Sequence, residues 1–328
     1  MPDVYLTQEY GKLYENIEKG ELVRFQFRCA YGEVLYQYLK RPIQWRVDGV
    51  EYFDTMTPYG YGGPCIVEVR EGKTEALLNL FEKALNAHCR EQRIVAEFVR
   101  FHPVLRNAEV FRGIYELFNV RESAATRLDC SENPAVSELT KTAKRGVNKA
   151  VKFGLNVRIT ENPPPEIAGI FYRDYCEHMD RLNAEAHYRF NEEYFKELLI
   201  SLNNKVILAE TLLGDEVLGR DIELLGENAV YCHLGSMSVK GTSCYGNYLL
   251  NAELIRWAKE RGYRYVVYGS GRTSAPDDSL LLFKKHFSKH TSLEYWQGKR
   301  ISQPEIYDQL VKLSGKTDNG DYFPSYRS

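Results

Sequence analysis

One segment whose residues could bind a ligand is a glycine-rich polar turn late in the chain. It covers residues 239–246, and the amphipathic pattern after it predicts a helix beginning near Gly246. A turn of this kind presents unpaired backbone N–H groups and the positive end of a helix dipole, which suit a pyrophosphate or a carboxylate. Gly241, Thr242, Ser243 and Gly246 are therefore candidate binding residues, although an ordinary strand-to-helix turn would have the same composition.

A stripe of basic residues lies on the helix predicted over residues 134–152. Its members are mostly three or four residues apart, which places them on one helix face: Lys141, Lys144, Arg145, Lys149 and Lys152. Such a stripe can hold the diphosphate of a nucleotide- or lipid-linked molecule, or the phosphates of an RNA. A merely solvated helix face shows the same pattern, so both interpretations stay open.

Other catalytic patterns are weak. Cys232 and His233 are adjacent on a predicted strand, so they point to opposite faces and cannot pair as nucleophile and base. The seven cysteines include no C-x-x-C pair, and His286 and His290 have no third ligand nearby in sequence. We therefore expect no disulfide framework and no metal site. No acidic residue stands out as a general base.

Length and composition describe a soluble globular chain. Its 328 residues are enough for two domains, and 44% of them are hydrophobic. A formal net charge of -2 argues against a protein that binds nucleic acid over its whole surface. No apolar run approaches the roughly 18 residues of a membrane span, and the N-terminus does not resemble a signal peptide, so we expect a cytoplasmic protein.

The order of the predicted elements repeats along the chain. The first half reads as strands 22–30 and 34–39, a strand pair over 43–56 turned at Asp48-Gly49, a loop 57–64, a helix 74–90 and a strand 94–101. The second half reads as helices 166–182 and 192–201, strands 205–211, 216–225, 230–236 and 265–268, and a short helix ending at Phe287. The strand–loop–helix–strand order near 52–100 recurs near 230–269. We therefore expect two copies of a mixed α/β unit, in domains 1–153 and 154–328, with the helix 134–152 linking them.

The segment that closes this pattern resembles a known family. Residues 283–287 read Phe-Lys-Lys-His-Phe, and the Phe-Lys-x-x-Phe spacing is similar to that of the Fem branch of the GNAT acyltransferases. The loop 57–64 resembles the Fem loop that covers the acceptor, and residues 144–150 resemble the basic Fem helix that faces acceptor phosphates. Tyr175, Met179, Arg181 and Tyr188 resemble a recurring Fem pattern. The resemblance implies tandem GNAT-like domains, each with a mixed, mostly antiparallel sheet flanked by helices.

The resemblance also implies roles for individual residues. Phe283 and Lys284 would lie beside the acyl-transfer centre, where the lysine would stabilise the oxyanion of the acyl carbonyl. Gly241, Thr242, Ser243 and Gly246 would bind the donor. The residues implied to bind the acceptor are Tyr59, Tyr61, Gly62, Gly63, Arg145, Lys149, Tyr175, Arg181 and Tyr188.

The implied reaction transfers an acyl or aminoacyl group to an amine of a peptidoglycan or surface-glycan precursor. The donor would be an aminoacyl-tRNA or an acyl-CoA, with no tightly bound cofactor. The acceptor would be nucleotide- or lipid-linked, which leaves room for contact with a membrane surface. Two alternatives stay open: an acetyl-CoA-dependent N-acetyltransferase of a sugar or small amine, and a non-catalytic protein that binds a nucleotide-linked glycan or RNA.

Overall fold

The computed structural model describes residues 3–185, 188–273, 275, 277–317 and 322–328. The strands of these residues are β1 Glu21–Cys29, β2 Gly32–Val47, β3 Val50–Met56, β4 Cys65–Val69, β5 Ile94–Arg100, β6 Glu116–Arg127, β7 Leu155–Glu161, β8 Val206–Leu213, β9 Glu216–Leu225, β10 Ala229–Met237, β11 Tyr265–Gly269 and β12 Ser292–Ile301. The α-helices are α1 Gln8–Lys12, α2 Glu15–Glu18, α3 Thr74–Glu91, α4 Asn107–Val110, α5 Pro134–Ser137, α6 Lys141–Lys152, α7 Ala168–Arg181, α8 Glu192–Ser201, α9 Val239–Ser243, α10 Gly246–Glu260, α11 Ser279–Lys284 and α12 Pro304–Ser314.

The longest strand corrects one prediction. Separate strands were expected over 34–39 and the first part of 43–56, whereas β2 is continuous from Gly32 to Val47. It stays continuous because it pairs with β1 up to Lys40 and with β3 over residues 39–42 and 46–47, so strand pairing extends along both parts of it. Pro42, which has no N–H to donate, lies at the register shift against β3.

The chain forms two compact units. The N-terminal unit contains residues 5–120 and 295–328, and the central unit contains residues 121–294 with the first four residues. The predicted boundary after residue 153 falls inside the central unit. The reason is that β11, late in the chain, pairs with residues 124–127 of β6.

The N-terminal unit has a mixed sheet. β1, β2 and β3 are antiparallel neighbours, β3 pairs with β5 in parallel, β12 pairs with β5, and β4 pairs with β2. The helix α3 crosses between the two parallel strands. It buries Leu77, Phe81, Leu85 and Cys89, four residues apart along the face that the sequence periodicity predicts.

The central unit has the same plan. β7, β8, β9 and β10 are antiparallel neighbours, and β10 pairs with β11 in parallel. The helix α10 makes the crossing and buries Leu254, Ile255 and Ala258 in a core cluster that also contains residues of this sheet. Each unit therefore contains one parallel strand pair joined by a helix, which is the repeated arrangement that the sequence predicts.

Candidate functional site

The parallel pair of the central unit comes apart partway along. β10 and β11 pair only over Ala229–Tyr231 and Tyr265–Val267, yet β10 continues to Met237. Its other edge stays paired with β9, with a register shift between Cys232 and Leu234. A shift of this kind increases local twist and turns a strand away from its neighbour. The opening at Cys232 is the natural place for a ligand to enter the sheet.

Lys284 ends the helix α11 at this opening. Its Nζ atom donates a hydrogen bond of 2.7 Å to the backbone carbonyl of Ser270, the residue that follows β11. Burial lowers the pKa of Lys284 to about 8; Cys232 and Asp278 oppose this shift, and the Arg121 guanidinium adds to it. At neutral pH the side chain is therefore mostly protonated, and it carries its charge in an enclosed place where that charge acts strongly.

Asp278 fixes the loop that precedes Lys284. It is 7% exposed and accepts hydrogen bonds of 3.0–3.1 Å from the backbone of Arg272, Thr273, Leu280 and Leu281 and from the Thr273 hydroxyl. Burial alone would raise the pKa of Asp278, but these bonds lower it to about 2. The same carboxylate caps the N-terminus of α11, so it orients the helix that carries Lys284.

Tyr188 belongs to the same neighbourhood. Burial raises the pKa of its phenol; Arg121 and Arg272 lower this pKa, whereas Glu185 and Asp278 raise it. Because Arg121 and Asp278 also act on Lys284, Tyr188 and Lys284 are near the same two charged groups. The structure thus brings a residue implied for the acceptor close to one implied for catalysis.

Phe283 packs rather than pointing into an open site. Its ring lies 5.3 Å from the ring of Tyr248 and 5.4 Å from that of Phe287, both edge to face. Tyr248 in turn lies against Gly146 of α6. These contacts hold Phe283 in place and so position the adjacent Lys284.

The turn 239–246 differs from the expectation of unpaired N–H groups. Residues 239–243 form the short helix α9, capped by Ser238, and the N–H of Gly241 bonds the Ser238 hydroxyl at 3.0 Å. The N–H of Thr242 bonds the carbonyl of Ser238, and the hydroxyls of Thr242 and Ser243 bond carbonyls of the same turn. The expectation is therefore wrong for Gly241 and Thr242, because a local helix already uses these groups.

Close packing explains why positions 241 and 246 are occupied by glycine. A Cβ atom on Gly241 would collide with the sulfur of Met237, and one on Gly246 would meet the same sulfur at 3.1 Å. Arg181 donates to the carbonyl of Met237 and also contacts His178, so it supports the entry to this turn. Donor binding by these residues stays a prediction.

The predicted helix 134–152 is interrupted. α5 ends at Ser137 and α6 begins at Lys141, because residues between them bond a distant segment. The N–H of Thr140 bonds the carbonyl of His286 at 2.9 Å, and the carbonyl of Glu138 accepts from the N–H of Lys289. Thr140 then caps α6. The prediction of one unbroken helix is therefore wrong.

The basic stripe itself is exposed along α6. Residues 143, 146, 147 and 150 face the core, and the five basic side chains face solvent. Lys149 donates a 2.9 Å hydrogen bond to the hydroxyl of Tyr245 and lies over its ring, which brings the stripe next to the turn that begins α10. Arg145 is exposed one helical turn before Lys149.

Tyr175 and Tyr188, both implied to bind the acceptor, are connected by a hydrogen bond. The hydroxyl of Tyr175 donates to the carbonyl of Tyr188 at 2.8 Å. Tyr175 is buried, and its ring packs against Phe171 and Phe195. It therefore fixes the segment that carries Tyr188.

The loop 57–64 is packed within the N-terminal unit. Tyr61 is buried among the rings of Tyr5, His102 and Tyr295, and Tyr59 stacks on Tyr14. Gly63 has a φ of +84° and lies against Val99 and Phe101, and Gly62 lies against Thr57. Glycine is thus required here by close approach of the protein's own side chains; acceptor binding by the loop stays a prediction.

Sequence reasoning missed an acidic pair beside the opening. Asp221 and Glu223 alternate with apolar residues on β9, and Cys232 pairs directly with Glu223. Burial raises the pKa of Asp221 to about 7 and that of Glu223 well above its ordinary value. The signal that could have found them is two carboxylates two residues apart in an otherwise apolar strand, since both then face the same side.

His233 does not join this pair. Its Nε2 atom lies 2.7 Å from the hydroxyl of Tyr194 on α8, and burial lowers its pKa to about 3. Burial, together with Glu223 and Asp221, raises the pKa of the Cys232 thiol. A nucleophilic thiolate with His233 as its base is therefore not supported, as the sequence predicts.

Comparisons with known proteins agree with this architecture. Residues 137–276 match the acetyltransferase (GNAT) domain family. Over 88 residues the chain is 33% identical to the UDP-N-acetylmuramoylpentapeptide-lysine N(6)-alanyltransferase of Weissella viridescens, a match that spans 26% of this chain and about a quarter (26%) of that protein.

Two solved structures share the fold over nearly the whole chain. FemX matches with a TM-score of 0.70 at 12% identity, covering 94% of each chain. L-PGS from Bacillus licheniformis matches with a TM-score of 0.52 at 17% identity, covering 93% of this chain and 97% of the other. Together with the GNAT match, these confirm the predicted fold class. Within the part of the chain that the structure describes, no helix is both long and apolar enough to cross a membrane.

Proposed function

We propose that this protein, whose residues 137–276 match the acetyltransferase (GNAT) domain family, is a Fem-like enzyme that transfers an aminoacyl group to an amine of a cell-envelope precursor. The observation that carries the proposal is the position of Lys284. Its charge is held by Ser270 at the point where β10 and β11 stop pairing.

The reaction needs a cation at that point. The acceptor amine attacks the carbonyl carbon of the donor ester, a C–N bond forms, and negative charge develops on the carbonyl oxygen. A protonated Lys284 stabilises this oxygen because a fixed charge in an enclosed site does not have to reorganise. The intermediate then collapses, the C–O bond to the donor breaks, and the leaving oxygen takes a proton while the amine loses one.

An aminoacyl-tRNA donor fits the residues better than an acyl-CoA. The backbone N–H groups of Gly241 and Thr242, which would face a CoA pyrophosphate, are used inside α9. The exposed stripe with Arg145 and Lys149 offers positive charge for the phosphates of a tRNA or of a nucleotide-linked acceptor. The Weissella relative is named as an alanyltransferase that acts on the lysine of a UDP-linked pentapeptide, and this supports a similar substrate pair here.

The test is a transfer assay with purified protein. Alanyl-tRNA and UDP-N-acetylmuramoyl-pentapeptide containing lysine are incubated with the enzyme, and mass spectrometry detects a pentapeptide with one added alanyl residue. Parallel reactions replace alanyl-tRNA by acetyl-CoA, or the pentapeptide by an amino sugar. Product only with acetyl-CoA would instead favour an N-acetyltransferase, and binding without product from any donor would favour a non-catalytic protein.

A further inference from the structure

Asp221 and Glu223 form an acidic recess with Cys232 at the opening between β10 and β11. The two carboxylates lie two residues apart on β9, with Glu223 opposite Cys232 and Asp221 opposite Gly235. Glu223 is 1% exposed, whereas Asp221 and Cys232 keep part of their surface open. Of the two carboxyl groups, Asp221 is therefore the one that is partly accessible, and Glu223 is buried.

Within the described part of the chain, the buried carboxyl group of Glu223 has no paired cation. Neither of its carboxyl oxygens makes a well-formed hydrogen bond with any described residue, although the Cys232 thiol and the His233 backbone N–H lie close enough to lower its pKa. A buried carboxyl group without a hydrogen-bond partner costs free energy, and in a folded protein such a group points to a catalytic role or to a bound water, ion or ligand group that satisfies it. A hydrogen-bonding cation would satisfy both carboxyl groups of the recess.

Two nearby basic side chains among the described residues are engaged elsewhere. Lys284 is bound to the Ser270 carbonyl, and Arg220, on the same strand, is paired with Glu210 and Asp174. At Gly235 a Cβ atom would collide with the carboxylate of Asp221, so the absence of a side chain there leaves room for that carboxylate.

Both the acidic recess and Lys284 lie near the thiol of Cys232. The pKa of Cys232 responds to Glu223 and Asp221 and, in the opposite direction, to Lys284, so Cys232 lies near all three groups. A carbonyl oxygen bound at Lys284 would thus have the acidic recess next to it. In an aminoacyl ester, the carbon that bears the ammonium group is bonded directly to the carbonyl carbon.

We propose that the Asp221–Glu223 recess binds the α-ammonium group of the transferred aminoacyl residue, and so selects aminoacyl donors over acyl donors that lack a cation. The inference rests on the proposed function, because it assumes an ester carbonyl bound at Lys284. An ammonium group supplies three donors and one positive charge. Its charge would favour the ionised form of the two carboxyl groups, whose pKa values burial raises in the protein without ligand. An acetyl group would leave Glu223 buried and unpaired.

The experiment compares two donors that differ only at the α-substituent. Alanyl-tRNA is converted by nitrous acid to lactyl-tRNA, which replaces the ammonium by a hydroxyl. We expect wild-type kcat/KM to be about 10- to 100-fold lower with lactyl-tRNA, the range for one charge-assisted hydrogen bond. Asp221→Asn and Glu223→Gln should reduce this preference at least several-fold, chiefly by slowing alanyl transfer. Asp215→Asn and Glu197→Gln, at exposed positions of the same unit, serve as matched controls.

The outcomes separate the two proposals. No alanyl transfer by the wild type would overturn the proposed function, before any variant is made. Alanyl transfer with equal use of the lactyl donor would leave that function standing and overturn the ammonium site, and this comparison does not depend on the folding of a variant. If Asp221→Asn and Glu223→Gln lowered kcat/KM equally for both donors, the ammonium site would also be overturned. That result would indicate that the two carboxyl groups accept the proton of the attacking amine.

Discussion

Gly146 lies against the ring of Tyr248 so closely that a Cβ atom at position 146 would come within 2.6 Å of the ring carbon Cγ. Tyr248 packs edge to face on Phe283, the neighbour of Lys284. The approach of α6 to α10 therefore determines where the end of α11 lies. A single hydrogen atom at position 146 allows this arrangement.

Gly146→Ala should disturb both stability and catalysis. Overpacking of a tight contact costs about 1–3 kcal/mol, which exceeds the gain of about 1 kcal/mol from the better helix propensity of alanine. We expect a melting temperature lowered by a few degrees and a reduced kcat, measured by calorimetry and by the transfer assay. Gly113→Ala is the matched control, because a Cβ atom there meets nothing within 4 Å. Equal behaviour of the two variants would refute the packing argument.

Lys284→Ala should lower kcat about 100- to 1,000-fold, as removal of one oxyanion donor does in other enzymes. The KM values should change little, since the charge acts mainly in the transition state. Lys289→Ala, an exposed lysine five positions later, should keep full activity. If the Lys284→Ala enzyme kept its activity, Lys284 could not be the residue that stabilises the oxyanion.

The dependence of kcat on pH should follow the protonation of Lys284. Lys284 must be protonated to act, and its pKa is about 8, so we expect kcat to fall as pH rises through about 8. Lys284→Arg stays charged at higher pH, so its remaining activity should lose this alkaline decline. The effect of pH on stability has the opposite sign to its effect on kcat. Between about pH 8 and 10, Lys284 is protonated in the unfolded chain but not in the folded protein. The free energy of unfolding therefore rises with pH in this range.

Asp278→Asn should destabilise the loop that precedes α11. Loss of a capping carboxylate costs about 1–2 kcal/mol, and asparagine keeps only part of the hydrogen bonding. Because the pKa of Asp278 in the folded protein is about 2, its contribution is complete above about pH 4 and disappears as pH falls toward 2. Denaturant unfolding at pH 7 and at low pH measures this difference. Asp277→Asn, at the exposed neighbouring position, is the control for the loss of one carboxylate.

Removal of charge from the basic stripe should weaken substrate binding. With Arg145→Gln and Lys149→Gln combined, we expect KM for the phosphate-bearing substrates to rise about 10-fold or more, since each charge-assisted hydrogen bond contributes about 1.5–3 kcal/mol. The dependence of KM on salt should become shallower. Lys196→Gln on the exposed face of α8 is the control. An unchanged KM would mean that the stripe is only a solvated face.

Local patterns predicted much of this fold. The apolar spacing of α3 and the position of Phe283-Lys284 after the last central strand could be identified because they depend on near neighbours in sequence. The break at residues 138–140 could not, since it depends on hydrogen bonds to residues 286–290, far along the chain.

The acidic pair was hidden for a related reason. Whether Asp221 and Glu223 point into the protein or toward solvent depends on the register of β9 with β10, and a slip of one residue would exchange the two faces. The helical turn at 239–243 was missed because Gly241 suggested an open loop. There the glycine instead allows a close approach to Met237.

The N-terminal unit cannot be completed during translation until the end of the chain has been synthesised. The N-terminal unit consists of residues 5–120 and 295–328, so its last strand is synthesised only after the whole central unit. Until then the edge of Ile94–Arg100 that will pair with Gln297–Ile301 has no partner strand. An unpaired strand edge invites association with other chains. Nascent chains should therefore need protection at this edge during translation, and ribosome-bound chains truncated at residue 294 should bind chaperones more than full-length ones.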